Sequence, residues 1–253
     1  MRFGCSSTSA VPLFWPVPRN MLPAAILAGG LAKRLGTLTE KIPKSLILID
    51  GEPFVAHQLR LLQRSGIQHV ILCVGHLGEQ IEQAVGNGSR FGVDVTYSYD
   101  GAALRGTAGA IRTALPKLGE SFFVMYGDSY LACDYAAIEQ EFLRSRKLGL
   151  MTIFRNDGQW DASNVEFKEG RILAYNKRNR TPRMRYIDYG LGVFHAEVFA
   201  RIGAADLADV YAELLQAGEL AGLEVQERFY EIGSPGGLQE MKTFLSRRGD
   251  ARE

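Results

Sequence analysis

The chain has 253 residues, 46% hydrophobic and 23% charged, which is long enough for one large domain and ordinary for a folded globular protein. A formal net charge of +1 excludes the strongly basic surface that binding to nucleic acid or an anionic membrane usually requires. No apolar run approaches the roughly 18 residues that a membrane-spanning helix needs.

Cysteine usage favours a reducing compartment. The three cysteines, Cys5, Cys73 and Cys133, are odd in number, far apart and without a CxxC pair. They therefore predict neither a disulfide framework nor a zinc site, and we expect a cytoplasmic protein.

The N-terminal stretch differs from the rest of the chain. Residues 11–17, VPLFWPV, are apolar but broken by two prolines, and they lack the charged region and cleavage site of a signal peptide. We expect residues 1–20 to be a disordered leader and residues 21–248 to form a single domain, with a tail over residues 249–253.

From residue 24 onward, short apolar runs alternate with helical patterns. Four strands are predicted in the first half, AAILAG, HVILCVG, VDVTYSY and FFVMYGD. Three helices are predicted among them, FVAHQLRLLQRSG, HLGEQIEQAVG and GTAGAIRTAL. Strands that alternate with helices and are mostly apolar on both faces are typical of a parallel sheet covered on each side.

The second half has more strands. A helix over YAAIEQEFLRSR precedes the strand-like runs LGLMTIF, SNVEFKEGRILAYN and YIDYGLGVF, and a Glu169-Gly170 turn in the second run is typical of a hairpin. A helix over DLADVYAELLQAG, a strand over LEVQERFYEIG and a helix over GGLQEMKTFLSRR follow. We predict an α/β fold with a doubly wound, Rossmann-like, mostly parallel sheet over about residues 21–134 and a small mixed-β lobe over about residues 135–248.

Three polar features follow predicted strands or begin a helix. They are the glycine-rich segment after AAIL, the residue Asp128 after FFVMYG, and the GTAG turn over residues 106–109. Ligands of open α/β sheets bind beyond the carboxyl ends of the strands, so we expect these features to line one site.

The segment over residues 27–46, LAGGLAKRLGTLTEKIPKSL, combines glycines with three cations. It has the spacing of neither a Walker loop nor a GxGxxG dinucleotide fingerprint. Its glycines expose backbone N–H groups, and Lys33, Arg34 and Lys44 supply positive charge, so it suits an anion such as a triphosphate. Taken alone, the segment favours the simpler interpretation of a solvated basic loop.

The same segment resembles the signature of the sugar-1-phosphate nucleotidylyltransferases, the nucleotide-sugar pyrophosphorylases. The resemblance continues in chain order through GTAG, YGD, a lysine after the hairpin, YGLGVF and EIGSP, and it spans residues 22 to about 244. It is nearest to short bacterial enzymes of the heptose-1-phosphate guanylyltransferase and N-acetylmuramate-1-phosphate uridylyltransferase kind. It implies a GT-A-like nucleotidyltransferase core with a sugar-binding lobe.

The reaction implied by this resemblance joins two anions. An oxygen of a sugar 1-phosphate attacks the α-phosphorus of an NTP, which gives a nucleotide sugar for surface polysaccharide or cell-envelope precursors and releases pyrophosphate. The resemblance places Arg34 on the triphosphate, Lys44 near the α-phosphate and Lys177 on the phosphate of the sugar. Such transfers depend on alignment and charge stabilisation, which cations supply.

The resemblance also assigns the remaining site residues. Asp128 and Glu231 correspond to two carboxylates that hold Mg²⁺, a hard ion that prefers oxygen ligands. Nucleotide contacts are implied at Leu27, Ala28, Gly29, Gly30, Lys33, Gly106, Thr107 and Gly109. Sugar contacts are implied at Asn176, Asp188, Tyr189 and Gly190.

Several positions depart from the family pattern, which keeps other functions open. The departures are Ala32, Lys33, Gly36, Thr37, Ser45, Asn176 and Glu231. One alternative is a catalytically silent relative that binds a nucleotide sugar and regulates a partner, and another is a nucleotidyltransferase with a non-sugar acceptor. The sequence leaves the base, the sugar and the formation of a homo-oligomer open.

Overall fold

The structure, a computed structural model, describes residues 21–30, 41–101 and 105–249. The predicted leader, the predicted tail after its first residue, Lys33 and Arg34 lie outside these residues. The strands are β1 (Ala24–Leu27), β2 (Leu48–Ile49), β3 (Glu52–Pro53), β4 (His69–Val74), β5 (Asp94–Tyr99), β6 (Ser121–Tyr126), β7 (Ser129–Tyr130), β8 (Gly149–Arg155), β9 (Val165–Lys168), β10 (Arg171–Tyr175), β11 (Tyr186–His195), β12 (Leu220–Val225) and β13 (Tyr230–Glu231).

Seven α-helices connect or cover these strands. They are α1 (Phe54–Arg64), α2 (Gly78–Val85), α3 (Gly106–Leu118), α4 (Tyr135–Ser145), α5 (Glu197–Arg201), α6 (Leu207–Gln216) and α7 (Pro235–Gly249) within the described residues. Short 3-10 turns occur at Lys44–Leu46 and Ser89–Phe91. In the described part of the chain, no helix has both the length and the apolar character needed to cross a membrane.

The centre of the main sheet is parallel. β6, β1, β4 and β5 lie side by side in that order, and Ala24 of β1 is in register with Val70 of β4 and Phe123 of β6. All four strands therefore end at the same edge of the sheet, as the predicted α/β fold requires.

The strands of the second half extend this sheet. β11 pairs antiparallel with β6 and β8, and β12 pairs parallel with β8, so nine strands form one sheet. The β9–β10 hairpin joins β11, and its predicted turn is present, with positive φ values of 52° at Glu169 and 76° at Gly170. The mostly parallel α/β core is thus confirmed, and the mixed strands are continuous with it.

One predicted strand is wrong. We predicted a single strand over LEVQERFYEIG, but the structure has β12 in the main sheet and β13 paired with β7 in a separate two-stranded sheet. The prediction joined two strand-like segments, and side-chain periodicity carries no information on the strand with which each one pairs.

The core lies on both faces of the sheet. Alternate residues of β1 illustrate this arrangement, because Ile26 packs in one hydrophobic cluster with Leu59 of α1 while Ala25 packs in another with Ile111 of α3. A third cluster under α7 includes Ile232, beside β13. The sheet is therefore covered by helices on each side, and a cleft can form at the edge where the strands end.

Candidate active site

A cavity of about 240 Å³ lies at the carboxyl ends of β1, β4, β5 and β6. Residues from both halves of the chain line it, namely Leu27, Ala28, Gly29, Gly30, Lys44, Ser45, Cys73, Asp100, Gly106, Thr107, Ala110, Tyr126, Gly127, Asp128 and Asp206. The glycine-rich segment, the GTAG turn and Asp128 meet there because parallel strands bring their ends to one edge.

Glycines let the backbones at this edge pack closely. A Cβ atom on Gly29 would lie 2.9 Å from the Gly75 nitrogen, and one on Gly127 would lie 2.6 Å from the Leu27 oxygen. The Gly127 N–H donates to that same oxygen at 2.9 Å. Side chains at these two positions would push the ends of β1, β4 and β6 apart.

The GTAG turn is anchored to the loop before α6. Gly106 has a φ of +75°, and the N–H groups of Ala108 and Gly109 donate to the Ala205 oxygen at 2.8 and 3.2 Å. The Thr107 hydroxyl accepts a hydrogen bond from the Leu207 N–H at 2.8 Å. The turn is therefore a structural link between the two halves as well as a wall of the cavity.

Gly109 has a packing role that differs from the predicted nucleotide contact. It is outside the set of residues that line the cavity, and a Cβ atom on it would lie 2.7 Å from the Arg105 Cβ. Gly106 and Thr107 are the members of the turn that face the cavity.

Lys44 and Asp128 form an ion pair in the cavity wall. The Lys44 Nζ is 2.8 Å from the Asp128 Oδ2, and the two side chains are 17% and 28% exposed. Lys44 begins a 3-10 turn after Pro43, whereas Asp128 is two residues after the end of β6. The structure thus brings together two residues that the sequence assigned to phosphate and metal binding.

Glu231 lies on the strand that pairs with β7. It is opposite Ser129, and the Ile232 N–H donates to the Asp128 carbonyl oxygen at 2.9 Å. The Glu231 carboxylate accepts hydrogen bonds from the Gly233 N–H and, at 2.7 Å, from the Ser234 hydroxyl. Its orientation is therefore set by the EIGSP segment itself.

These two carboxylates fit a hard divalent ion in chemical terms. Glu231 lies on β13 and Asp128 immediately precedes β7, the partner strand, and Mg²⁺ in phosphate sites commonly takes one or two carboxylates together with water and phosphate oxygens. Within the described residues, no three His, Cys, Asp or Glu side chains cluster as metal ligands. The donor set therefore suits an ion that is completed by a phosphate substrate.

Lys177 and Asp188 form a second ion pair. The Lys177 Nζ is 3.1 Å from the Asp188 Oδ2, and the Gly190 N–H and the Tyr175 hydroxyl also donate to this carboxylate, at 3.1 and 3.3 Å. Burial lowers the pKa of Lys177, but the nearby Asp188 carboxylate and Tyr126 raise it by more. Lys177 is therefore a permanent cation at neutral pH.

Tyr126 connects this pair to the cavity. Its ring lines the cavity, and its hydroxyl accepts a hydrogen bond of 3.4 Å from the Lys177 Nζ. Burial raises the pKa of Tyr126 to about 12, and Asp188 adds to the effect. The neutral hydroxyl can also donate a hydrogen bond, so Tyr126 links Lys177 to the cavity wall.

One predicted sugar contact, Tyr189, needs correction, and the side-chain oxygen of another, Asn176, already has hydrogen-bond partners. The Tyr189 side chain is 2% exposed and packs against the rings of Phe154 and Phe229, so its predicted place in the sugar pocket is wrong. Successive residues of a strand point to opposite faces, and Tyr189 faces the core while its neighbours Asp188 and Gly190 face the site. The Asn176 side-chain oxygen accepts hydrogen bonds from two backbone N–H groups of the next turn.

Asp100, Tyr126 and Asp206 are among the cavity-lining residues that sequence reasoning missed. Asp100 follows β5 directly, so the strand-end argument applied to Asp128 would have found it. Tyr126 is part of the YGD motif, but only its neighbour was singled out. Asp206 comes from the loop before α6, and a carboxylate at a helix start gave no signal beyond that of a helix cap.

Comparison with known proteins agrees with this architecture. The model of the nucleotidyl transferase family matches residues 23–245. A mannose-1-phosphate guanyltransferase beta-B of Xenopus laevis is 28% identical over 85% of this chain, and the chain spans 62% of that protein's length. An N-acetylmuramate alpha-1-phosphate uridylyltransferase of Neisseria meningitidis is 38% identical over 47% of this chain and 52% of its own.

A solved structure shares the fold. HddC from Yersinia pseudotuberculosis superposes with a TM-score of 0.76 at 21% identity, over 89% of this chain and 100% of that one. At such identity the similarity describes the fold alone. The family model, by contrast, covers nearly the whole described domain. The chain therefore belongs to the nucleotidyl transferase family.

Proposed function

We propose that this protein transfers a nucleoside monophosphate from an NTP to a sugar 1-phosphate, with release of pyrophosphate. The observation that carries the proposal is that Lys44 and Asp128 form an ion pair in the cavity wall, while Lys177, paired with Asp188, is hydrogen-bonded to Tyr126, which lines the same cavity. Two phosphate esters repel each other, so a cleft that presents a separate cation to each is suited to joining them.

The NTP occupies the cavity at the strand ends in this proposal. Its base lies against the side-chain-free backbone near Gly106, and its phosphates approach Gly29, Gly30 and Lys44. Lys33 and Arg34 are assigned to the triphosphate from the sequence, and they lie outside the described residues. Because they have no side chains, the glycines leave room for the phosphate oxygens and expose N–H donors to them.

The sugar 1-phosphate is held on the other side of Tyr126. Lys177 binds its phosphate, and the Asp188 carboxylate keeps the ammonium oriented and charged. Since the raised pKa prevents Lys177 from acting as a base near neutrality, its role is to align and neutralise. Asn176 and Gly190 complete this side of the site.

Asp128 and Glu231 would hold Mg²⁺, which supplies charge neutralisation at the reacting phosphates when it is bound. The oxygen of the sugar phosphate then forms a bond to the α-phosphorus, and the bond from that phosphorus to the departing pyrophosphate breaks. No covalent intermediate with a protein side chain is needed, because alignment and charge account for the chemistry.

Similar proteins support a sugar phosphate as the acceptor. The relatives described above are named for mannose 1-phosphate and N-acetylmuramate 1-phosphate, and a glucose-1-phosphate thymidylyltransferase of Streptomyces antibioticus is 27% identical over 73% of this chain. These names differ in both base and sugar. The proposal therefore commits to the reaction and leaves the pair of substrates to experiment.

The test is a panel assay of pyrophosphate release. Each of ATP, CTP, GTP, UTP and dTTP is combined with heptose, mannose, glucose, N-acetylglucosamine and N-acetylmuramate 1-phosphates in the presence of Mg²⁺. We expect pyrophosphate only when both substrates are present, with the matching nucleotide sugar identified by mass spectrometry. Binding of a nucleotide sugar without pyrophosphate release from any pair would contradict the proposal and favour a regulatory relative.

A further inference from the structure

Gln58 is a buried polar side chain directed at the strand end that carries Asp128. It lies in the middle of α1, and it is 0% exposed. Most of its buried neighbours on this helix are apolar, among them Val55, Leu59 and Leu62. An amide at such a position needs an explanation other than hydrophobic packing, because burial of a polar group costs free energy.

The amide nitrogen of Gln58 makes two hydrogen bonds. It donates to the Tyr126 carbonyl oxygen at 3.2 Å and to the Ser129 carbonyl oxygen at 2.8 Å. These carbonyls flank Gly127 and Asp128, so a single side chain spans the turn between β6 and β7. Both N–H bonds of the amide are thereby used.

The pairing of β7 explains why the Ser129 carbonyl needs this partner. Residues of an antiparallel pair alternate between positions that exchange hydrogen bonds and positions that do not. The Ile232 N–H donates to the Asp128 oxygen, so the next position, where Ser129 is opposite Glu231, is one that does not. The Ser129 carbonyl therefore points away from β13, and Gln58 satisfies it.

Other bonds fix the same turn from the remaining directions. The Gly127 N–H donates to the Leu27 oxygen of β1, and the Asp128 oxygen accepts from the N–H of Ile232, which directly follows β13. Gln58 adds two hydrogen bonds from α1 on the remaining side. The Tyr126 ring and the Asp128 carboxylate, which project from this turn, are thus held by three elements of the fold.

The other atom of the amide indicates that the bonds to the turn are the main purpose of Gln58. Its Oε1 is buried and has no hydrogen-bond partner among the described residues. An unpaired buried acceptor opposes folding. The residue is therefore poorly suited to stabilising the core and well suited to supplying two donors at one place.

We propose that Gln58 is a positioning residue for the transfer reaction, which holds the turn over residues 126–129 so that Tyr126 and Asp128 keep their orientation in the cleft. The inference rests on the proposed function for its kinetic consequences. In this proposal Gln58 does not contact the substrates, and it acts on the Asp128 carboxylate through the backbone of the turn. Partners of metal ligands commonly change metal affinity or activity by about 10- to 100-fold when they are replaced.

The test compares Gln58→Met with Gln63→Met. Methionine matches glutamine in length and lacks both donors, and Gln63 is an exposed residue of the same helix, so the control makes the same chemical change without the turn contacts. We expect Gln58→Met to raise the half-saturating Mg²⁺ concentration and lower kcat by roughly 10-fold. Gln63→Met should match the unmodified protein in both.

A second measurement does not depend on turnover. Mn²⁺ serves as a paramagnetic probe of the metal site, and its binding is followed by electron paramagnetic resonance in the presence of a non-hydrolysable NTP analogue. We expect Gln58→Met to weaken Mn²⁺ binding by about 10-fold. Gln58→Glu, which is isosteric but presents a carboxylate to two carbonyls, should weaken it at least as much.

The outcomes separate the two proposals. If the Gln58→Met and Gln58→Glu proteins remain folded and bind Mn²⁺ as the Gln63→Met protein does, Gln58 is not a positioning residue. If the Gln58→Met protein does not fold, the Gln58→Glu protein gives the same decision. A lower melting temperature of the Gln58 variants at unchanged Mn²⁺ affinity would also overturn the inference. Absence of pyrophosphate release from the unmodified protein contradicts the proposed function alone, since the Mn²⁺ titration still tests Gln58.

Discussion

An ion pair of 3.1 Å joins Lys177, two residues after the end of β10, to Asp188 of β11, and its carboxylate is almost inaccessible to water. The Asp188 side chain is 2% exposed, whereas that of Lys177 is 37% exposed. The anion is thus fixed in the protein, and the more exposed cation reaches from it to the Tyr126 hydroxyl. A substrate phosphate can approach the exposed side of the ammonium without breaking the pair.

Replacement of Lys177 by Met should therefore affect both function and stability. It removes the cation assigned to the sugar phosphate, and it leaves Asp188 with only the hydrogen bonds from Tyr175 and Gly190. We expect a loss of roughly 1–3 kcal/mol in the free energy of unfolding, and a rise in KM for the sugar 1-phosphate that exceeds the rise for the NTP. Urea unfolding and steady-state kinetics measure these two effects.

The matched control is Lys168→Met. Lys168 is 71% exposed and pairs with the exposed Glu169 at 3.6 Å, an interaction worth little in water. We expect this variant to be unchanged in both measurements. Equal behaviour of the two lysine variants would exclude Lys177 from the site.

The raised pKa of Lys177 predicts a flat alkaline limb in the pH profile. The pKa lies above its usual 10.5 in the folded protein, so the stabilisation from the pair is present below pH 10.5 and is lost only as pH rises through the higher folded value. We expect no loss of activity from Lys177 between about pH 6 and pH 10. In Asp188→Asn, burial of the ammonium acts without the carboxylate, and activity should fall at a lower pH than in the unmodified protein.

Lys44 allows a similar comparison at the nucleotide. Lys44→Met removes the cation beside Asp128, and we expect the KM for NTP to rise by about 10- to 100-fold, which corresponds to about 1.5–3 kcal/mol for a charged hydrogen bond. Lys41→Met is the control, because Lys41 is exposed and lies three residues earlier in the same segment. A rise in KM of the same size in both variants would mean that general surface charge, and not Lys44, attracts the nucleotide.

Asp100 predicts an effect of pH on stability. Burial raises its pKa above the usual 3.8, although a hydrogen bond and the charge of Arg105 act in the opposite direction. The folded state therefore holds the proton more tightly than the unfolded chain, and the free energy of unfolding contributed by this group decreases as pH rises above 3.8. We expect Asp100→Asn to be more stable than the unmodified protein at pH 7.

The difference should disappear near about pH 3, where Asp100 is protonated in both states. Urea unfolding at several pH values measures it. Asp209→Asn, at an exposed position in the first turn of α6, should instead be slightly destabilising at pH 7, since an acidic residue there favours the helix. A difference between Asp100→Asn and the unmodified protein that is independent of pH would contradict the assigned cause.

The sequence was sufficient to predict the cleft because strand ends are local features. Asp128 and the GTAG turn could be placed together from the order of strands and helices alone, and the structure brings them to one cavity. Asp206 could not be predicted in this way, because it reaches the cavity through the contact between Ala205 and the GTAG turn. Contacts between distant loops leave no periodic pattern in sequence.

Two errors had different causes. The face on which Tyr189 lies could have been predicted from the alternation along β11, which puts it opposite to Asp188. The prediction instead treated successive residues as lining one pocket. The separate pairing of β12 and β13 could not be predicted, because the residues of a strand-like segment do not show with which strand it pairs. The face of the sheet on which a side chain lies can be deduced from sequence, whereas the strand with which a segment pairs depends on the assembled fold.

The last prediction concerns two neighbouring glycines at the start of α7. A Cβ atom on Gly237 would lie 2.5 Å from the Glu231 Oε1 and would also press on the backbone of Glu231, whereas one on Gly236 would meet nothing within 4 Å. Both residues lie in the first turn of the helix. The same substitution at adjacent positions therefore tests the place of one carboxylate.

Gly237→Ala should displace Glu231 from the position set by Gly233 and Ser234. We expect the half-saturating Mg²⁺ concentration to rise by roughly 10-fold, with a loss of about 1–3 kcal/mol in the free energy of unfolding from overpacking. Gly236→Ala should leave the Mg²⁺ dependence unchanged and add about 0.5–1 kcal/mol, because alanine favours a helix over glycine. If Gly237→Ala loses stability but keeps the Mg²⁺ dependence of Gly236→Ala, Glu231 does not hold the ion, and Asp128 alone must account for the metal requirement.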